Sequence, residues 1–574
     1  LISIFPIQGA KRNYRTKRRG RLFCGDPTRK PVENCGKISS FDNLLKRWRR
    51  RWNPGIGGLA FGYVFVDEAL ASGAYQIPSP HMANYTMFQF FHWFYPKDAV
   101  LWEDAVRETA RLGELGISSV WLPPACKGTG GDQTIGYDIY DLFDLGEFDQ
   151  KGAVATRYGT KEQYLSAIKT FHDHGIQVYA DVVLNHKAGA DETEEMTARK
   201  VNPDNRSEAI SDPYQIRAYT KFTFPGRGDQ YSDFKWDFHC FSGVDWDDQA
   251  KEKGIFKILN EYGDQWEELL GNEKGNFDYL MFADIEFRNP AVREELKRWG
   301  LWYLEQSGVD GFRLDAAKHI TPSFFPEWLG ALREESGKEL FTVAEFAGEI
   351  DLMHQYIEKT GGSMSLFDFP LHHNLQVASN RRVHYDLRKI FDGTLVASRP
   401  ELSVTFVDNH DTQPSREFTS DVKHWFKPHA YALILLREGG YPCVFYPDLY
   451  GAELKAPDKH GKDRKARLKI CSQLENLLRA RKNFAYGPQR DYFEQPNLIG
   501  WVREGSGAGD ASGCAVVLST RDEGLIEMEM GSVHAGKSFR DITGSREDRV
   551  TTDEGGKAAF PVNARAIAVW VREA

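Results

Sequence analysis

The stretch Gly311-Phe312-Arg313-Leu314-Asp315-Ala316-Ala317-Lys318-His319 decides how this chain is read. Gly311–Asp315 is short and apolar except for Arg313 and Asp315, and a strand's period of two puts those side chains on one face. A helix-like run, Phe324–Glu335, follows and stops at Gly337, a residue suited to a left-handed C-cap. The same strand-then-helix unit recurs on both sides. The strand candidates are Met87–Phe91, Ser118–Leu122, Gln177–Leu184, Gly311–Asp315, Phe341–Glu345, Ser365–Phe369, Val404–Val407 and Cys443–Tyr446. The helix candidates are Trp102–Leu115, Lys161–His174, Pro290–Gln306, Phe324–Glu335, Leu352–Lys359, Tyr385–Phe391, His429–Arg437 and Lys465–Arg481. Alternation of this kind implies parallel βα units, and eight of them imply a closed (β/α)8 TIM barrel of the α/β class.

One interval is too long for a plain loop. Between Leu184 and Pro290 the chain is rich in Gly, Asp, Phe and Trp, as in Phe224-Pro225-Gly226-Arg227-Gly228-Asp229. A segment of that length carries its own structure, so a β-rich subdomain inserted after strand three is expected over residues 187–284. After residue 485 the alternating runs Leu498–Val502, Cys514–Ser519 and Ala566–Val571 predict a C-terminal antiparallel β-sandwich over 485–574. The barrel then occupies 81–186 and 285–484.

Composition narrows the function classes. The 574 residues carry a net charge of −9, so the protein as a whole is not a nucleic-acid binder, and no apolar run reaches membrane-spanning length. A partner of either kind is not expected, and the chain reads as a monomer. The first 52 residues depart from the average, with 15 Lys+Arg against 3 Asp+Glu. Residues 1–80 are expected to be a disordered basic extension. Its apolar residues precede its charges, the reverse of a secretory signal, which leaves the compartment open with a lean to intracellular. Seven scattered cysteines form neither a disulfide framework nor a zinc pattern.

The chemistry gathers at strand ends. Strand three runs into Asp181-Val182-Val183-Leu184-Asn185-His186, strand five ends Val343-Ala344-Glu345-Phe346, and strand seven ends Phe406-Val407-Asp408-Asn409-His410-Asp411. In a barrel these ends share one rim, so Asp315, Glu345 and Asp411 converge. A pair of carboxyl groups across a scissile bond is what glycoside cleavage requires. Arg313, on the same strand face as Asp315, would keep that carboxylate ionised and oriented.

These four segments, in this order and around a strand-three insertion, resemble the four signature regions of the α-amylase family, glycoside hydrolase family 13. The resemblance covers about Met82 to the C-terminus. It is closest to the liquefying bacterial-type enzymes and related fungal ones, through Gln133–Asp149, the Phe-Pro-Gly-Arg-Gly stretch and Tyr279-Leu280-Met281-Phe282-Ala283-Asp284. It implies Asp315 as nucleophile, Glu345 as general acid/base and Asp411 as the carboxylate holding the 2- and 3-hydroxyls of the −1 sugar. It further implies sugar contacts from Tyr137, His186 and His410, and contacts to the +1 and +2 sugars from Lys318 and His319. One structural Ca²⁺ is implied on Asn185, Asp278, Asp284 and the backbone carbonyl of His319, ligands of the hard-oxygen kind calcium takes. A further calcium–sodium cluster is not expected, because Ser242, Glu267, Glu286 and Arg288 stand where that cluster needs aspartates. The activity implied is retaining, endo-acting hydrolysis of α-1,4-glucan in starch, glycogen or malto-oligosaccharides. The alternatives are an α-glucan transglycosylase sharing the same covalent intermediate and, against the intact carboxylate set, a non-catalytic glucan-binding barrel.

Overall fold

The computed structural model describes residues 84–97, 100–414, 419–457, 463–507 and 512–573. The expected basic extension, 1–80, lies outside the described residues.

Eight parallel strands close into a barrel: β1 (Met87–Gln89), β2 (Ser119–Leu122), β3 (Gln177–Val182), β4 (Gly311–Leu314), β5 (Phe341–Ala344), β6 (Ser365–Phe367), β7 (Ser403–Phe406) and β8 (Tyr441–Phe445). Each pairs with its sequence neighbours, and β8 pairs with β1 to complete the ring. Almost every strand residue is buried, as parallel strands covered on both faces require. At Gly311 the β4 backbone runs so close to β5 that a Cβ would lie 1.9 Å from the Phe341 carbonyl oxygen, so only glycine fits.

The surrounding helices begin and end on local signals. They are α1 (Leu101–Leu115), α2 (Lys161–Asp173), α3 (Pro290–Ser307), α4 (Phe324–Ser336), α5 (Ile350–Lys359), α6 (Phe369–Arg381), α7 (Lys427–Leu435) and α8 (Leu474–Asn483). Thr160 and Gln163 form a capping box on α2. Asn289 caps α3 with Pro290 in its first turn, and Gly308 ends it in the left-handed conformation. Among the described residues no helix is long and apolar enough to cross a membrane.

Two expected helices are corrected. Tyr385–Phe391 contains only the 3₁₀ turn Leu387–Lys389, and the helix after β6 is α6. The Asp368 side chain accepts from the Leu371 amide at 2.9 Å and Pro370 follows it, so the helix starts inside the run read as strand. Lys465–Arg481 is likewise not one helix. Asp463–Leu468 pairs antiparallel with Ala452–Pro457, and α8 begins only at Leu474. The Lys465–Ile470 run alternates charged and apolar residues with a period of two, which suits a strand better than a helix.

Between β3 and α3 lies a seven-stranded sheet. Its junction with the barrel is the short pair His186–Lys187 and Ala283–Ile285, and its long hairpins are Glu192–Asn202 with Tyr214–Lys221 and Phe241–Asp247 with Glu252–Ile258. After α8 comes a six-stranded sheet built around Leu498–Arg503, Cys514–Ser519 and Ile567–Arg572. Across its inner face Val502, Val517 and Trp570 meet Met528 and Phe560 of the separate pair Gly524–Glu529 and Lys557–Val562. The opposite face, with Trp501, Val516 and Val569, joins the barrel core. Cys126, Cys240, Cys443, Cys471 and Cys514 are buried and unpaired.

Candidate active site

At the C-terminal rim of the barrel one guanidinium organises three carboxylates. Arg313 is 1% exposed. Its Nη1 donates to Asp181 Oδ1 at 2.8 Å and to Asp315 Oδ1 at 2.6 Å, and its Nη2 donates to Glu345 Oε2. The spacing explains this reach: Arg313 and Asp315 share one face of β4, while Asp181 and Val343 are Arg313's register partners on β3 and β5.

The carboxylates differ in surroundings. Glu345 is deeply buried, and burial, with Asp315, Asp411 and Asp181 nearby, pushes its pKa up to about 8 against the opposing pull of Arg313. Asp181 is also buried and pushed up to about 6, mainly by burial and by Asp315. The Asp411 side chain is the most open, about 25% exposed, with His410 Nε2 3.3 Å from its Oδ2.

An aromatic wall stands beside them. The rings of Tyr137 and His410 stack at 5.1 Å, and Trp93 stacks on both, at 5.9 Å from Tyr137 and 6.1 Å from His410. Tyr137 hydroxyl donates to Asp181 Oδ2 at 2.8 Å, and Trp121 Nε1 reaches the same oxygen at 3.0 Å. His186 Nε2 lies 2.8 Å from the Tyr137 carbonyl, and its burial holds the imidazole neutral by lowering its pKa. Gln89, the last residue of β1, bonds His410 Nδ1 at 3.1 Å. Flat rings of this kind offer a face to the apolar side of a pyranose.

The structure thus brings Asp315, Glu345, Asp411, Arg313, Tyr137, His186 and His410 together. Lys318 forms an ion pair with Glu273 of the insertion's loops. The His319 side chain turns inward, toward the insertion. Its Nδ1 bonds the Phe277 carbonyl at 2.6 Å, its ring packs edge-on against Phe277 at 4.3 Å, and the residue is 2% exposed. The imidazole is a strut between the loop after β4 and the insertion. Asp181, Trp93, Trp121 and Gln89 were not singled out from sequence. For Asp181 the signal was present: it sits on the rim end of β3, one strand from Arg313.

Next to this strut lies the oxygen-rich junction of barrel and insertion. Among the described residues no three His, Cys, Asp or Glu side chains converge as a metal site, and the expected calcium set contains only two of that kind. The donors present nevertheless fit a hard cation. Asn185 Oδ1 is buried without a hydrogen-bond partner, while Asn185 Nδ2 reaches Asp284 Oδ1 at 3.2 Å. Asp278 and Asp284 are 2% and 1% exposed. The adjoining group is different: it holds cations of the protein's own. Arg288 makes a two-point ion pair with Glu286, at 2.7 and 2.6 Å, and the buried Lys257 ammonium donates to the Ser242 carbonyl at 3.0 Å. Lys257 lies within the field of Glu286, Asp278 and Asp284.

Residues 110–491 match the family model for the alpha amylase catalytic domain. The chain is 49% identical over 490 residues to an alpha-amylase of Geobacillus stearothermophilus, covering 85% of this chain and 87% of that one. It is 47% identical over 494 residues to the cytoplasmic alpha-amylase of Escherichia coli, covering 86% and 99%. In fold it is similar to the crystal structure of an alpha-amylase from Geobacillus thermoleovorans complexed with acarbose, with a TM-score of 0.57 at 17% identity over 86% of this chain and 98% of that one. With half the residues shared with curated relatives along most of their length, the chain belongs to the α-amylase family.

Proposed function

We propose that this protein is a retaining, endo-acting α-1,4-glucan hydrolase in which Asp315 is the nucleophile, Glu345 the general acid/base and Asp411 the carboxylate that holds the −1 sugar. The observation that carries this reading is the shared guanidinium. Arg313 binds Asp315 and Glu345 at once, so the two carboxyl groups stand side by side while their environments separate their roles. A Glu345 with its pKa near 8 keeps its proton at neutral pH and can give it to a leaving oxygen.

The reaction then follows in two displacements. Glu345 protonates the glycosidic oxygen as Asp315 Oδ attacks the anomeric carbon. The C–O bond breaks, the shortened glucan leaves with a free 4-hydroxyl, and the sugar is held on Asp315 as an ester. Glu345, now a carboxylate, takes a proton from water, whose oxygen attacks the same carbon and releases Asp315. Two inversions restore the α-anomer. Arg313 holds Asp315 in place through its 2.6 Å contact, and Tyr137, stacked on His410, supports the −1 ring from one side. The geometry expected of such a pair is a carboxyl separation of about 5–5.5 Å.

Asn185, Asp278, Asp284 and the His319 carbonyl would hold one Ca²⁺. Bound there, the ion supplies charge that balances the two aspartates and ties the insertion to the loop carrying Asp315. The orphaned Asn185 oxygen supports this assignment.

The test is product analysis by NMR early in a reaction on maltoheptaose. α-Anomeric shorter maltooligosaccharides from the wild type, and none from Asp315→Asn, are expected. Products longer than the substrate would reassign the enzyme as a transglycosylase, and intact substrate would remove the hydrolase reading.

A further inference from the structure

At the opposite, N-terminal end of the barrel, where barrel and C-terminal sheet meet, lies a cavity of about 730 Å³. Its walls include Tyr85 just before β1, Tyr441 at the start of β8, and Tyr486, Arg481 and Arg503 from α8 and the sheet beyond it. This volume lies within the range of small-molecule sites. Nothing in the glucan cleft uses these residues.

The two arginines are unusual in what they lack. Arg481 is 6% exposed and Arg503 7%. Among the described residues neither has a carboxylate partner. Arg481 donates only to neutral acceptors: the Leu435 carbonyl at 2.6 Å, the Tyr85 carbonyl at 2.8 Å and Thr86 Oγ1 at 3.0 Å. Arg503 makes a single side-chain bond, from Nε to the Gly487 carbonyl at 2.9 Å. Among the described residues no acceptor meets either terminal nitrogen of Arg503, which together carry four N–H donors. Burial, and then the neighbouring charge of Arg503, lowers the pKa of Arg481 to about 9. A buried cation without a counterion is costly, and a fold that keeps two of them beside a cavity stores attraction for an anion.

The other charges on the walls do not cancel them. Arg437 is matched by its own two-point pair with Asp491, at 2.6 and 2.7 Å. Of the two acidic wall residues, Glu401 is paired with Arg399 at 2.6 Å, and Glu438, whose charge reaches Arg503, lies exposed on the rim.

We propose that this cavity is a second binding site, for a small organic phosphate, with the phosphate on the free fork of Arg503 beside Arg481 and a sugar ring against Tyr85, Tyr441 and Tyr486. A guanidinium fork matches phosphate oxygens two at a time, and the tyrosine rings supply flat apolar surface. The site sits at the far end of the barrel from Asp315, so it does not compete with glucan.

Calorimetric titration of the full chain at low salt tests this, with glucose 6-phosphate, inorganic phosphate and glucose as probes. One glucose 6-phosphate per chain is expected, bound at least tenfold more tightly than glucose and several-fold more tightly than inorganic phosphate. Arg503→Gln should weaken it tenfold or more. Glu438→Gln, an exposed change that leaves the fold and glucan hydrolysis intact, should tighten it several-fold. No phosphate binding by wild type, equal affinity for glucose, or affinity unmoved in both variants would overturn the proposal. Inorganic phosphate binding as tightly as the sugar phosphate would overturn the role of the tyrosines.

Discussion

Arg313 and Asp181 are register partners on the adjacent parallel strands β4 and β3, and a fully buried ion pair of 2.8 Å joins their side chains. Asp181 also accepts from Tyr137 and Trp121, so it fixes both the guanidinium and the aromatic wall. Asp181→Asn should leave the barrel folded but let Arg313 and Tyr137 shift. A misplacement of this size costs on the order of 10²-fold in kcat, with a smaller change in KM. Steady-state kinetics with circular dichroism checks it. Wild-type kcat would remove Asp181 from the catalytic arrangement.

Arg313→Lys retains a positive charge but replaces a planar fork with a single point donor. It cannot bridge Asp181, Asp315 and Glu345 together. We expect kcat/KM to fall by about 10² to 10³ with little change in secondary structure, the size seen when one oriented donor is lost from an active site. A loss below tenfold would show that charge alone suffices.

As the proposed general acid, Glu345 sets the alkaline limit. The first step needs its proton, so kcat/KM should decline as pH rises through about 8. The charge of Asp181 is one of the causes that raise this pKa, so the alkaline limb of Asp181→Asn should move to lower pH. Stability follows the same sign. The folded protein holds this proton to about pH 8 while an unfolded glutamate releases it near 4.5, so stabilisation present below pH 4.5 is lost progressively up to pH 8. Glu345→Gln cannot release a proton, so its thermal midpoint should gain on wild type across that window. A constant difference would contradict the shift.

Metal content separates the two carboxylate groups at the insertion. Equilibrium dialysis should return one tightly held Ca²⁺ per chain, and chelation should lower the thermal midpoint by several degrees and reduce activity. Lys257 and Arg288 already supply positive charge to the neighbouring group. Two or more tight ions per chain would show that these tethered cations do not exclude metal.

Much of this was legible in the chain itself. Eight strand–helix units, glycines at helix ends and carboxylates at strand C-termini specify the barrel and put Asp315, Glu345 and Asp411 on one rim, because period and capping are local properties. Where local signals overlapped, reading failed. Asp368-Phe369-Pro370 closes β6 and opens α6 within three residues, and Asp463–Leu468 pairs as a strand inside a stretch charged like a helix. What no local pattern holds is the contact between distant segments. The meeting of Asp181 with Arg313, the stacking of Trp93 on Tyr137 and His410, the inward turn of His319 onto Phe277 and the approach of Arg481 to Arg503 each join residues far apart in sequence. Closure of the barrel and docking of the insertion and C-terminal sheet decide these. They also set burial, and burial rather than residue type raises Glu345 and, among the described residues, leaves two arginines without a counterion.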